Sequence, residues 1–354
     1  MRKAIPFLLF IAFLALGIFS GCSKKEPAPT AAASIDPAKL QLFEPLPKVM
    51  ISKSSPISEE KAALGRMLFY ETRLSKSQKI SCNSCHMLDK YGVDGEPTSD
   101  GHKGQKGDRN SPTVYNAAGH FVQFWDGRAA DVETQAKGPV MNPVEMAMPG
   151  EKVVVEVLKS MPEYVDAFKK AFPEDKDPIT YDNMAKAIGA FERKLVTPAR
   201  WDKFLKGDPN ALTADEKAGF IAYVEAGCQI CHAGAYVGGN LFQKLGVTKP
   251  WPDASDPGRE KATKSEADRM TFKVPSLRNI EKTGPYYHNG KTAALEQAVS
   301  TMAEYQLGKT LSDAQVNSIV TWLKALTGDV PADYVKEPQL PKSTAKTPKP
   351  DTSD

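Results

Sequence analysis

The sequence predicts a mainly α-helical protein that consists of two similar domains connected by long loops. Apolar residues recur at spacings of three and four along most of the chain. Two cysteine pairs with the same internal spacing are separated by about the length of one domain. A short segment also recurs once after each pair, which indicates an internal duplication.

The composition is that of an ordinary globular protein. The 354 residues include 46 Lys+Arg and 43 Asp+Glu, for a formal net charge of +3. These values argue against a disordered chain, a collagen and a nucleic-acid binder with a strongly basic face. The length is sufficient for two domains.

The N-terminus has the pattern of a secretory signal peptide over residues 1–21. Two basic residues precede the apolar run Ala4–Phe19, which is too short to cross a bilayer. The segment ends at Cys22 in a pattern that resembles a bacterial lipoprotein box, so we expect lipidation of Cys22. The alternative is an ordinary signal peptide followed by an incidental cysteine.

The predicted organisation follows from these composition changes and from the length of one domain. It comprises a signal peptide (1–21), a lipid-anchored flexible linker (22–39), an N-terminal domain (40–200), a C-terminal domain (201–332) and a disordered tail (333–354). The tail is expected to be disordered because it repeats Pro, Lys, Thr and Ser without apolar periodicity.

Helix starts are marked by capping residues at three places. Ser58 precedes two glutamates and a helical pattern of apolar residues. Capping boxes begin at Thr213 and Ser312, each with Glu or Gln three residues later. Residues 153–172 and 180–195 also have helical periodicity, and no run alternates long enough to predict a sheet.

A histidine directly follows each cysteine pair. The two segments are Cys82-Asn83-Ser84-Cys85-His86 and Cys228-Gln229-Ile230-Cys231-His232. This spacing is typical of covalent haem c attachment, in which two thiols bond to the vinyl groups and the histidine ligates the iron. Disulfides and a structural zinc site are the alternatives, but zinc does not require a histidine at that one place. The sequence therefore predicts two cytochrome c-like haem domains related by duplication.

The recurring segment lies downstream of both haem motifs. Ser111–Asn116 is followed by Trp125, and Val274–Asn279 is followed by His288. The distance from the asparagine to Trp125 or His288 is the same in both copies, which supports the duplication.

Each haem iron also needs a sixth ligand. Met302 follows His232 and precedes the helix predicted from Ser312, where a small cytochrome c has its methionine ligand; alternatively, it is a core residue. A thioether favours ferrous iron, so this haem is expected to have a high potential. For the first haem, His102 in a glycine-flanked loop and Met141 are both candidates.

From Leu40 to Gly328 the chain resembles the bacterial dihaem cytochrome c peroxidases. The stretches that carry the resemblance are Ser81–His86, Gly101–His102, Lys106–Thr113, Gln123–Arg128, Gln135–Val140, Val144–Met146 and Pro285–His288.

The resemblance implies a role for each haem. The haem on Cys82 and Cys85 would be the low-potential peroxidatic haem, with His86 as proximal ligand and His102 as the distal ligand of the oxidised state. The haem on Cys228 and Cys231, ligated by His232 and Met302, would accept electrons, and its reduction would release His102.

The same resemblance implies the remaining site residues. Trp125 would lie between the haems, and Gln135 and Glu145 would form the distal-pocket pair that moves protons. Asn110, Thr283 and Pro285 would bind calcium between the domains.

The implied function is the reduction of hydrogen peroxide to water in the periplasm by a homodimer that takes electrons from a small cytochrome c or copper protein. A dihaem electron-transfer protein with little peroxidase activity is the alternative. A third possibility is the branch of the superfamily that matures a tryptophan-derived quinone in a partner protein. That branch has tyrosine in place of the methionine ligand, and Tyr305 lies close to Met302.

Overall fold

A computed structural model of the protein describes Met1, residues 35–52 and residues 54–351. From residue 35 onward the described chain belongs to one compact unit. The rest of the predicted signal peptide, Cys22 and the linker as far as residue 34 lie outside the described residues. Within the described residues, none of the helices combines the length and the apolar character that a membrane span requires.

Helices dominate the described chain, as the sequence predicts. The α-helices are α1 (Pro37–Leu40), α2 (Glu59–Tyr70), α3 (Cys82–Cys85), α4 (Val132–Met141), α5 (Glu151–Lys159), α6 (Pro162–Ala171), α7 (Tyr181–Glu192), α8 (Arg200–Leu205), α9 (Ala214–Ala226), α10 (Glu260–Thr263), α11 (Leu295–Leu307), α12 (Asp313–Lys324) and α13 (Ala332–Val335).

The N-terminal hydrophobic core forms where α2, α4, α5, α6 and α7 pack together. The Ser58 side chain accepts a hydrogen bond from the Lys61 N–H at the start of α2, which confirms the predicted cap. Phe69 of α2 and Phe191 of α7 are fully buried, with ring centroids 5.4 Å apart. This core supports the loops that follow the first haem motif.

The C-terminal hydrophobic core lies mainly between α9 and α12. Both predicted capping boxes are present, at Thr213 and at Ser312. The two fully buried tryptophans, Trp201 and Trp322, meet edge to face with centroids 5.3 Å apart. The second haem motif follows α9 directly, so this core positions it.

A small sheet is present that the sequence did not predict. Strands β1 (Phe242–Lys244) and β2 (Thr271–Lys273) pair antiparallel, with Phe242 opposite Lys273. Three residues are too few for an alternating pattern to be recognised, so the pairing depends on contacts between distant parts of the chain.

The two copies of the recurring segment meet at a single threonine. Asn116 and Asn279 both adopt the left-handed backbone conformation, with φ of 62° and 61°. Each asparagine donates its side-chain N–H to Thr197 Oγ1 at 2.8 Å, and all three residues are buried. The duplicated segments are therefore equivalent in conformation and in their contacts.

The equivalence continues beyond the asparagines. Gln123 forms a bridge with Ala129, and Tyr286 forms the same type of bridge with Thr292. The nine-residue spacing then brings Trp125 of one copy against His288 of the other, with ring centroids 6.4 Å apart in an edge-to-face arrangement. The two copies thus contact each other through corresponding positions.

The expectation of a disordered tail at 333–354 is wrong for its described part. Residues 336–351 contain a turn at 345–347 but no helix or strand, and they cross the N-terminal region. Arg73 donates hydrogen bonds to Pro341 O at 2.8 Å and to Ser343 Oγ at 3.0 Å, and Gln78 Nε2 donates to Pro348 O at 2.8 Å. Composition could not reveal this because backbone carbonyls, here those of Pro341 and Pro348, accept part of these hydrogen bonds, and prolines reduce the entropy lost on ordering.

Candidate active site

The first haem motif opens into a cavity of about 520 Å³. Cys82, Cys85 and His86 line this cavity together with Gln135 and Glu145. The structure therefore brings together five of the residues that the resemblance assigns to the peroxidatic site.

The second haem motif opens into a separate cavity of about 250 Å³. Cys228, Cys231 and His232 line it, and so does Met302 from α11. Since the two cysteine pairs line different cavities, they do not converge on one ion as a structural zinc site would require. The four cysteines of these two pairs are unpaired thiols, as thioether attachment to haem requires.

Both motif histidines have Nδ1 close to a backbone carbonyl. His86 Nδ1 lies 3.3 Å from Gly92 O, and His232 Nδ1 lies 3.2 Å from Pro275 O. A hydrogen bond from Nδ1–H to a carbonyl leaves Nε2 free to ligate iron. Burial lowers the pKa of both imidazoles, that of His232 to about 4, and so favours the neutral form that binds a metal. The donor set in each cavity thus fits haem c.

Glu145 is positioned by a tight turn after α4. The amide of Asn142 uses both its ends here: its Oδ1 accepts from Val144 N–H at 3.0 Å, and its Nδ2 donates to Glu145 Oε1 at 2.7 Å. Burial raises the pKa of Glu145, while the Asn142 hydrogen bond and the nearby Arg128 oppose that shift. A carboxyl with a raised pKa is a better proton acceptor than an ordinary one and can return the proton afterwards.

His102 is placed against the same turn. Its backbone N–H donates to Val144 O at 3.0 Å and to Glu145 O at 2.8 Å. Its side chain is 5% exposed, and Nδ1 has no hydrogen-bond partner. Gly101 lines the first cavity, but His102 is not among the described lining residues, so its role as sixth ligand stays a prediction.

Gly101 lies where the His102 loop closely approaches the turn that carries Glu145. In the structure, a Cβ added at Gly101 would collide with the Val144 carbonyl. Glycine is therefore required here for close packing of the His102 loop against the Glu145 turn.

Glu192 is a cavity residue that the sequence did not reveal. It is the last residue of α7, is 5% exposed and lines the first cavity. Burial and the neighbouring Glu133 raise the pKa of Glu192 to about 8. The only signal in the sequence is a glutamate at the end of an apolar helix, and a cap or a surface charge gives the same pattern.

Trp125 lines both cavities. Its indole N–H donates to Asn110 O at 3.0 Å, and its own carbonyl accepts from Lys273 N–H at 2.7 Å. Trp125 therefore separates the two cavities, and its role between two haems stays a prediction.

The three predicted calcium ligands also come together. Asn110, Thr283 and Pro285 all line the second cavity. Asn110 is 7% exposed, and its Nδ2 donates to Glu96 O at 2.9 Å, which leaves Oδ1 as a possible ligand.

Comparisons with known proteins agree with this site. The family described as "Di-haem cytochrome c peroxidase" matches residues 59–210. The cytochrome c551 peroxidase of Pseudomonas aeruginosa is 46% identical over 316 residues, which cover 87% of this chain and 90% of that protein. The cytochrome c551 peroxidase of Nitrosomonas europaea is 49% identical over 302 residues, which cover 84% of this chain and 89% of that protein.

A solved structure extends the similarity to the fold. The crystal structure of a MauG-like protein associated with microbial copper homeostasis superposes with a TM-score of 0.72 at 28% identity, covering 83% of this chain and 97% of that one. Together with the two haem motifs in separate cavities, these identities over most of the chain show that the protein belongs to the di-haem cytochrome c peroxidase family.

Proposed function

We propose that this protein reduces hydrogen peroxide to water with electrons from a small cytochrome c. Two relatives at 46% and 49% identity are named cytochrome c551 peroxidases, which supports both the reaction and the type of donor. The observation that carries the proposal is that Glu145 and Gln135 line the same cavity as a complete haem c motif.

Glu145 is the proton-transfer group in this proposal. When bound, the haem supplies the iron at which peroxide binds and the electrons that cleave its O–O bond. Peroxide must lose a proton from one oxygen and gain one on the other, and a carboxyl with a raised pKa can do both. Gln135, which cannot exchange a proton in this way, orients the peroxide by hydrogen bonds.

The second cavity is the electron-accepting site. Met302 lines it together with His232, whose Nδ1 is held by a backbone carbonyl, and a His/Met ligand pair gives a haem a high potential. Methionine at this place supports a peroxidase over the quinone-maturing branch. Trp125 links the two cavities and is the residue through which we expect the electronic coupling to pass.

Several finer features belong to the same proposal. Calcium would bind through Asn110 Oδ1 and the carbonyls of Thr283 and Pro285, since a hard cation prefers oxygen ligands. The protein would act in the periplasm as a homodimer tethered through lipidated Cys22. A small copper protein is a second possible donor.

The test is peroxide-dependent oxidation of a reduced small cytochrome c by the holoprotein. The fully oxidised protein is compared with protein reduced by one electron, with and without added calcium. Rapid turnover in either state supports the proposed reaction. The absence of turnover in both, with both haems attached and reducible, would overturn it in favour of an electron-transfer protein.

The role of His102 is tested in the same assay with the variant His102→Gly. If His102 blocks the first haem in the oxidised state, the variant is active without prior reduction. Wild-type protein that is equally active before and after reduction would exclude such a block, while leaving the peroxidase proposal intact.

A further inference from the structure

The second cavity contains a single cationic side chain and no acidic one among its described lining residues. That cation is Lys273, at the end of β2, which is only 6% exposed. Lysine is rarely buried to this extent without a partner of opposite charge. No ion pair involves Lys273 in the described part of the chain.

The hydrogen bonds of Lys273 are incomplete. Its Nζ lies 3.3 Å from His120 Nδ1 and 3.2 Å from Val122 O. An ammonium group has three N–H donors and cannot accept, so His120 Nδ1 is the acceptor in the first contact. The third N–H has no acceptor among the described residues.

The backbone around Lys273 keeps the side chain in this place. The backbone N–H of Lys273 donates to Trp125 O at 2.7 Å. Strand β1 pairs with β2 so that Phe242 lies opposite Lys273. Burial lowers the pKa of Lys273 to about 8, so the group is still mostly protonated at neutral pH. A buried, protonated amine with a free donor is costly unless an anion is beside it.

The cofactor that fits this cavity carries such an anion. Haem c has two propionate carboxylates, and the described lining offers no other cationic group to neutralise one of them. We propose that Lys273 binds a propionate of the haem in the second cavity and that its positive charge makes this haem easier to reduce. His120 is then a positioning residue, because it accepts one ammonium hydrogen and directs the others.

This inference rests on the part of the proposed function that places haem c in the second cavity. It does not depend on peroxide turnover. Attachment of two haems per chain is therefore measured first, by absorbance of the purified holoprotein. If the second haem is absent from wild-type protein, the proposed function fails before the role of Lys273 is tested.

The test is anaerobic redox titration of both haems in the holoprotein. The variants are Lys273→Met, which removes the charge, and Lys273→Arg, which keeps it. Lys244→Met is the matched control, because Lys244 is an exposed lysine on the neighbouring strand β1.

We expect Lys273→Met to lower the midpoint potential of the second haem only. The expected change is at least tenfold in the ratio of reduced to oxidised haem at a fixed potential, which corresponds to 59 mV for one electron. Lys273→Arg should retain most of the wild-type potential, and Lys244→Met should be unchanged. A less than twofold change in the ratio of reduced to oxidised second haem in Lys273→Met would overturn the proposal. Equal shifts in the midpoint potentials of both haems would also overturn it.

A second measurement uses wild-type protein and therefore does not depend on how the variants fold. The bond between an ammonium N–H and a propionate is a charge-assisted hydrogen bond whose hydrogen exchanges in D₂O, so we expect the propionate bending frequency in the resonance Raman spectrum to change on transfer to D₂O. We expect this shift for one propionate of the second haem, with Lys244→Met behaving like wild type. The absence of any D₂O shift in the second haem would refute a bond to Lys273.

Discussion

Replacing Glu145 by glutamine tests the proton-transfer role with little disturbance of the structure. Glutamine keeps an oxygen that can accept the 2.7 Å hydrogen bond from Asn142 Nδ2, so the turn should stay folded. The variant loses only the ability to take up and return a proton. General acid–base groups contribute roughly 10²- to 10⁴-fold to rate.

The structure favours the lower part of that range. Glu145 is only half-buried, so in the variant water can reach the position of the lost carboxyl and carry protons, although less efficiently. Glu192 also lines the cavity, and the variant keeps its carboxyl. We therefore expect kcat to fall by roughly 100- to 1000-fold, which is about 3–4 kcal/mol of transition-state stabilisation.

The assay is the initial rate of peroxide-dependent oxidation of reduced cytochrome c across a range of pH. Glu151→Gln is the matched control, since Glu151 is an exposed glutamate at the start of α5. Burial raises the pKa of Glu145, so the wild-type rate should fall as the pH drops through that pKa and the base becomes protonated. The variant should lack this acid limb. A Glu145→Gln protein with more than a third of wild-type activity, or with the same acid limb, would refute the reasoning.

Three further predictions concern stability. Glu192→Gln should be more stable than wild type at pH 8 but not at pH 4. The pKa of Glu192 is raised from 4.5 to about 8 on folding, so the free energy of unfolding of wild type falls as the pH rises through that window, by at most about 1.4 kcal/mol per pH unit. Equal urea midpoints for both proteins at pH 8 would contradict this. Arg278→Met should lower the free energy of unfolding by about 3–5 kcal/mol in chemical denaturation, because the buried Asp202, 1% exposed, would lose the charge that pairs with it at 2.7 Å. A decrease below about 1 kcal/mol would be inconsistent with a buried ion pair. Truncation after Val335 removes the two tail hydrogen bonds of Arg73 and should lower stability by about 2 kcal/mol in thermal unfolding; an unchanged midpoint would mean that the tail does not hold the N-terminal domain.

The features that the sequence predicted correctly depend on residues close together in the chain. Helix caps at Ser58, Thr213 and Ser312 are satisfied within one turn, so their patterns are visible without knowledge of the fold. Each haem motif likewise contains both thiols and the ligating histidine within five residues. Met302 lines the same cavity as the second haem motif, and its role as an iron ligand stays a prediction.

The features that the sequence missed depend on contacts between distant residues. Lys273 and His120 are 153 positions apart, and neither residue type predicts a buried contact. The strand pair at 242–244 and 271–273 has too few residues for a periodic signal. The tail has the composition of a disordered segment. Composition does not record that its backbone carbonyls at Pro341 and Pro348 accept hydrogen bonds from Arg73 and Gln78.

The threonine shared by the two copies limits how the halves of this protein can change. A duplication normally frees one copy to accumulate substitutions while the other keeps its role. Here Asn116 and Asn279 both depend on the same Thr197 hydroxyl, and the Asn116 side-chain carbonyl also accepts from Thr197 N–H at 3.0 Å. A substitution at Thr197 would remove a bond from each half at once, and a shift of either asparagine would be transmitted to the other. The two halves are thus free to diverge in their haem chemistry only while they keep a common point of attachment.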